Sequence, residues 1–112
     1  MNNAGIGQPV RILLVEDNPA DSRLICEMLN ESKTVKFELT HNERLEKALT
    51  CLDPLSYDAV LLDLTLPDSQ GLETVMRAIA AAPNLPVIVL TGFEDEFAGA
   101  KAVEMGAQDC LV

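Results

Sequence analysis

The sequence predicts an α/β fold, a doubly wound parallel sheet with helices on both faces. Three observations predict it. Residues 10–15, 59–64 and 86–91 are short runs of mostly branched apolar residues. Their continuous hydrophobicity marks strands covered on both faces, as in parallel sheets. Segments with helical spacing of apolar residues lie between the runs, and the 112 residues, 48% of them hydrophobic, suit one domain.

The elements follow in order. Residues 1–9 are polar and rich in Gly and Asn, without basic or apolar blocks; they read as a disordered lead-in and not as a signal peptide. The first strand follows at 10–15. Pro19 suits a helix's first turn, and Leu24, Ile25, Met28 and Leu29 form its stripe. Residues 37–40 alternate and read as a shorter edge strand. Leu45, Ala48, Leu49 and Leu52 mark a second helix, and Leu72, Val75, Met76 and Ile79 a third between Gly71 and Pro83. The fourth runs from about 95 to 105, with Phe97, Ala98, Ala102 and Met105 apolar and Gly106 as its stop. Residues 109–112 begin a fifth strand. Strands joined by helices of this length run parallel with right-handed crossovers.

Charge narrows the function. Lys and Arg number 8 against 18 Asp and Glu, a formal net charge of -10. Such a surface repels phosphate backbones and anionic lipid, so the sequence argues against nucleic-acid or membrane binding by this domain. Aromatic residues make up 4% with no Trp, which argues against a base-stacking platform. No apolar run approaches a membrane span's length. Cys26, Cys51 and Cys110 are far apart without a C-x-x-C pair, and read as reduced thiols of a cytoplasmic protein.

A doubly wound sheet binds ligands beyond the carboxyl ends of its strands. Strand one ends in Glu16-Asp17, strand three carries Asp63, and strand four ends in Thr91-Gly92. With those strands adjacent, three carboxylates and a hydroxyl meet in one crevice. Close like charges raise each other's pKa, and a divalent cation removes that cost. Oxygen ligands without His or Cys favour a hard ion, Mg²⁺ above all. A single acid at a strand end is ordinarily a cap or a solvated loop residue, and Asp17 alone reads as the cap of the helix at Pro19. Asp63, inside an apolar run, needs a partner to offset desolvation.

These stretches resemble response-regulator receiver domains of two-component signalling. The matching stretches are 12–18 with Glu16-Asp17, 58–72 with Asp63, Pro67 and Gly71, 86–92 with Thr91-Gly92, and 106–112. The resemblance implies a flavodoxin-like, CheY-like five-stranded parallel sheet in the order 2-1-3-4-5, with the receiver occupying 10–112. It implies that Asp63 is the phosphoacceptor, taking a phosphoryl group from a sensor histidine kinase, a histidine phosphotransfer protein or a small acyl phosphate. On the same ground Asp17 ligates Mg²⁺ directly, Glu16 acts through a metal-bound water, and Thr65 offers its backbone carbonyl. Thr91 contacts the phosphoryl group and switches inward, Gly92 keeps access open, and Pro67 and Gly71 shape the loop. Pro67 as a helix breaker and Gly71 as a positive-φ turn residue are compatible readings. The domain is then no enzyme beyond self-catalysed phosphotransfer and autodephosphorylation. It controls an output domain C-terminal to Val112 or a partner, with homodimerisation through the fourth-helix and fifth-strand face.

Two departures from the family pattern stand out. The family's strand-five Lys and fifth helix fall after Val112, so the sequence reads as a receiver cut before its fifth helix. Cys110 takes the switch position where many receivers place Tyr or Phe, which points to a switch through Phe93 and the fourth helix; a small buried core residue is the plainer alternative. A second class, a non-phosphorylated pseudo-receiver acting as an interaction module, is disfavoured by the presence of the acceptor and metal acids and kept open by the absence of the strand-five Lys from the sequence. A haloacid-dehalogenase-like phosphatase needs an acid at position 65, where Thr stands. A Toprim nuclease needs a later Asp-x-Asp. A dinucleotide site needs a glycine-rich first turn, whereas this one is Glu16-Asp17-Asn18-Pro19.

Overall fold

The computed structural model describes residues 8–90 and 96–111, with 96–99 and 109–111 described in backbone only. The lead-in before residue 8 and the predicted residues Thr91, Gly92 and Phe93 lie outside the described residues, as do the side chains of Phe97, Ala98 and Cys110.

The chain alternates as expected: β1 (Val10–Val15), α1 (Pro19–Asn30), β2 (Phe37–Asn42), α2 (Leu45–Cys51) and β3 (Ala59–Asp63). A small hairpin follows, β4 (Thr65–Leu66) and β5 (Ser69–Gln70), then α3 (Leu72–Ala81), β6 (Val87–Leu90), α4 (Glu96–Glu104) and β7 (Asp109–Leu111). The main sheet has the order β2-β1-β3-β6-β7. All four of its pairings are parallel. This is the doubly wound, flavodoxin-like order 2-1-3-4-5 once the antiparallel β4–β5 hairpin is set apart.

Alternation along each strand divides the core between the faces. On one face Leu13, Val15, Val60, Leu62, Val87 and Val89 meet Leu45 and Ala48 of α2, Val75 and Ala78 of α3, and Ala102 of α4. On the other, Ile12, Leu14 and Leu61 meet Ile25 and Leu29 of α1. The predicted α1 stripe is narrower than expected. Leu24 and Met28 are exposed, because only the Ile25–Leu29 row faces the sheet. In α3 the hydroxyl-bearing Thr74 is buried and Met76 is exposed.

Local chemistry sets the helix ends. The cap of α1 is Asn18, not Asp17: Asn18 Oδ1 accepts from the amides of Ala20 at 2.9 Å and Asp21 at 3.2 Å, with Pro19 opening the helix. Asp17 is thereby left free of capping. Gly71 precedes α3 with φ +68°, and Gly106 ends the α4 region with φ +123°, its amide on the Val103 carbonyl. Cys26 and Cys51 are free thiols.

Candidate functional site

Register brings the acids together. Val15 pairs with Leu62 across β1 and β3, so the next residue of each strand, Glu16 and Asp63, lie side by side. Leu90 of β6 pairs with Asp63 on the other flank. The carboxylates of Glu16, Asp17 and Asp63 offer oxygens that all lie within 4.8 Å of one another. Glu16 is buried, whereas Asp17 and Asp63 are half-buried and open to solvent. Three of the predicted site acids are therefore assembled, while Thr91 and Gly92 lie outside the described residues.

The electrostatics are those of crowded acids. Burial, reinforced by a hydrogen bond to Asp63 and by its charge, pushes the Glu16 carboxyl up to about 8. Asp63 is raised as well, chiefly by burial and further by the charge of Asp17, against bonds from Glu16 and the Thr65 and Leu64 amides. Burial and mutual repulsion thus favour keeping a proton on the Glu16–Asp63 pair near neutral pH. Among the described residues, none of the ion pairs involves these three acids. A divalent cation bound among them would supply the missing positive charge in place of that proton. The residues present fit a hard cation such as Mg²⁺ by donor type, spacing and access.

Backbone and loop contacts hold the group in place. A ring N–H of His41, on β2, donates from Nε2 to the Glu16 carbonyl at 2.6 Å, which fixes the tautomer in which Nε2 is protonated. The Glu16 amide donates to the Asn42 carbonyl at 3.0 Å. After Asp63 the chain turns so that the Thr65 amide donates to Asp63 Oδ1 at 3.2 Å. The Gly71 amide donates to the Leu64 carbonyl at 2.7 Å and closes the hairpin loop, with Pro67 exposed at its tip. Next to Pro67, Asp68 accepts from the Leu45 amide at 2.9 Å and the Glu46 amide at 2.8 Å. These bonds hold its carboxyl below the usual carboxylate range.

Sequence reasoning missed His41 and Asp68. His41 stands at the polar end of an edge strand, where periodicity is silent. For Asp68 a signal existed: Arg44, a poor cap, is where α2 needs one, and its side chain makes no cap bond.

The family model described as the response regulator receiver domain matches residues 12–112. The chain belongs to this family, a class of signalling domains in two-component systems. Among curated relatives, the response regulator ArlR of Staphylococcus saprophyticus is 36% identical over 103 residues, which is 91% of this chain and 44% of that protein. The swarming motility regulation protein RssB of Serratia marcescens is 33% identical over 102 residues, 91% of this chain and 45% of its own length. The chain thus spans a little under half the length of these relatives. Among solved structures, the non-phosphorylated HemR receiver domain of Leptospira biflexa superposes with TM-score 0.75 at 27% identity, covering 91% of this chain and 80% of that one. A receiver domain of Clostridium thermocellum gives TM-score 0.78 at 23% identity over 91% of this chain and 80% of that one, a likeness of fold. No helix among the described residues is long and apolar enough to cross a membrane.

Proposed function

We propose that the chain is a phosphoaccepting receiver with Asp63 as its nucleophile. The observation that carries this reading is the meeting of Glu16, Asp17 and Asp63 within 4.8 Å at the carboxyl ends of β1 and β3. A carboxylate oxygen of Asp63 attacks phosphorus, and the P–N bond of a phosphohistidine, or the P–O bond of a small acyl phosphate, breaks with its electron pair on the departing group. The product is an acyl phosphate. Asp17 and Asp63 would hold Mg²⁺ directly, with the Thr65 carbonyl beside them and Glu16 through water. Bound there, the ion would neutralise charge building up on the phosphoryl oxygens. The Thr65 amide, donating to Asp63 Oδ1, orients the Asp63 carboxylate.

On this reading Thr91 binds the transferred group and moves with it, Gly92 keeps the approach open, Pro67 and Gly71 shape the loop, and Cys110 holds the switch position. The receiver unit runs from Val10 onward, after the lead-in at 1–9. The donor is a sensor histidine kinase or a phosphotransfer protein in the cytoplasm. An output domain and a homodimer through the α4–β7 face are the routes by which the change is read. Phosphorylation adds roughly −1.5 to −2 charges at one strand end, enough to bias a two-state domain.

The test is incubation with Mg²⁺ and acetyl phosphate, followed by intact mass. One phosphoryl adduct on the native chain, lost in Asp63→Asn and in chelator, is expected. A native chain that takes no adduct overturns the proposal and favours the pseudo-receiver.

A further inference from the structure

We propose that Asp68 is a positioning residue that holds the Asp63 carboxylate in register by tethering the β4–β5 hairpin to the start of α2. The inference rests on Asp63 being the phosphoacceptor. Asp68 sits at the turn of the hairpin that begins two residues after Asp63, yet both its carboxylate oxygens are engaged far away in sequence. Oδ1 accepts from the Leu45 amide at 2.9 Å and Oδ2 from the Glu46 amide at 2.8 Å. Those are two of the orphan donors of a helix start.

The arrangement is reciprocal. Helix α2 has 7 residues, and its own cap position, Arg44, makes no side-chain bond. So short a helix has little stability of its own and draws on tertiary contacts. Without Asp68 the α2 amides lose their acceptor. Without α2 the hairpin tip has no other polar anchor among the described residues, since Pro67 is exposed and donates nothing. The remainder of the hairpin is fixed from below. Leu66 is buried, the buried Ser69 hydroxyl lies 2.7 Å from that of Thr74, and the Gly71 amide is on the Leu64 carbonyl. The tether closes the remaining side, so the Thr65 amide is presented to Asp63 Oδ1 in one orientation. A second link parallels it: Arg77 of α3 meets Glu46, the residue whose amide Asp68 accepts, at 3.4 Å.

A purely structural cap and a positioning tether make different predictions. Asp68→Ala is expected to slow phosphorylation by acetyl phosphate about ten- to hundredfold and to shift the Thr65 amide resonance. Asp68→Asn, which keeps one acceptor, falls between. In the double variant Arg44→Ser/Asp68→Ala a local serine cap restores the thermal midpoint. The slow phosphorylation and the shifted Thr65 resonance persist, because the hairpin is still untethered. Recovery of the rate together with stability in the double variant overturns the proposal, as does an Asp68→Ala rate within twofold of native. If the native chain itself takes no phosphoryl group, the phosphoacceptor reading fails separately. The Thr65 resonance then decides the tether alone, and an unmoved resonance in Asp68→Ala overturns it.

Discussion

The hydroxyls of Ser69 and Thr74 lie 2.7 Å apart, both buried, and join the β4–β5 hairpin to the first turn of α3. Each satisfies the other, so removal of one strands its partner away from water. Thr74→Val is expected to cost about 1–3 kcal/mol in denaturant unfolding, and Ser69→Ala a similar amount. The double variant should cost clearly less than the sum, because neither orphan remains. Additive costs would show that the two hydroxyls do not bond.

The acid cluster predicts an inverted pH dependence. The folded Glu16 carboxyl holds its proton to about 8, whereas in an ordinary environment it titrates near 4.5. Between these values the folded state binds more protons than the unfolded one. Glu16 therefore contributes stability that is complete below about 4.5 and lost as pH rises through about 8. Asp63 is raised too and adds to the same trend, whereas Asp58 and Asp68 are shifted downward, so their contributions are already constant across this window. In chelator, the thermal midpoint of the native chain should fall from pH 5 to pH 8, and Glu16→Gln should flatten the slope. A native slope equal to that of Glu16→Gln contradicts the shared proton.

Adding Mg²⁺ should reverse that weakness. A ligand at 100 times its Kd adds about 2.7 kcal/mol to folding stability. For a domain of this size that corresponds to about 10 °C in thermal midpoint. The gain should grow with pH, because binding requires Glu16 unprotonated. Asp17→Asn should lose most of it, and chelator all of it, as read by calorimetry with and without metal.

Gly71 separates strain from crowding. A Cβ added there meets nothing within 4 Å, yet φ is +68° and ψ is −149°, a region side chains rarely enter. Gly71→Ala should therefore destabilise by about 1–3 kcal/mol with no clash to relieve. An unchanged unfolding midpoint would mean that the turn relaxes freely.

Much of the fold and of the acid site is legible in the sequence. Continuous apolar runs located β1, β3 and β6, because strands buried on both faces have no other composition open to them. The acids at their ends followed from that placement, and the parallel register confirmed their meeting. The alternation in the sequence marks β2 only over 37–40, two residues short of its observed end at Asn42. His41 and Asn42 are polar, and only their pairing with Leu14 and Val15 keeps them in the ladder. The β4–β5 hairpin escaped notice, since two-residue strands carry no periodicity. Asn18 rather than Asp17 proved the cap because both suit that role, and only the backbone path decides. The Asp68 contact spans more than twenty residues and leaves a trace only in what Arg44 fails to do.

Strand β3, which ends in Asp63, is the middle member of the five-stranded sheet. Edge strands fray first in native-state opening, and a central strand exchanges its amides only when the whole domain opens. The Leu61 and Leu62 amides, hemmed in by β1 and β6, should rank among the slowest-exchanging in the chain. A carboxylate mounted there keeps its place while the periphery breathes, for as long as the fold itself persists.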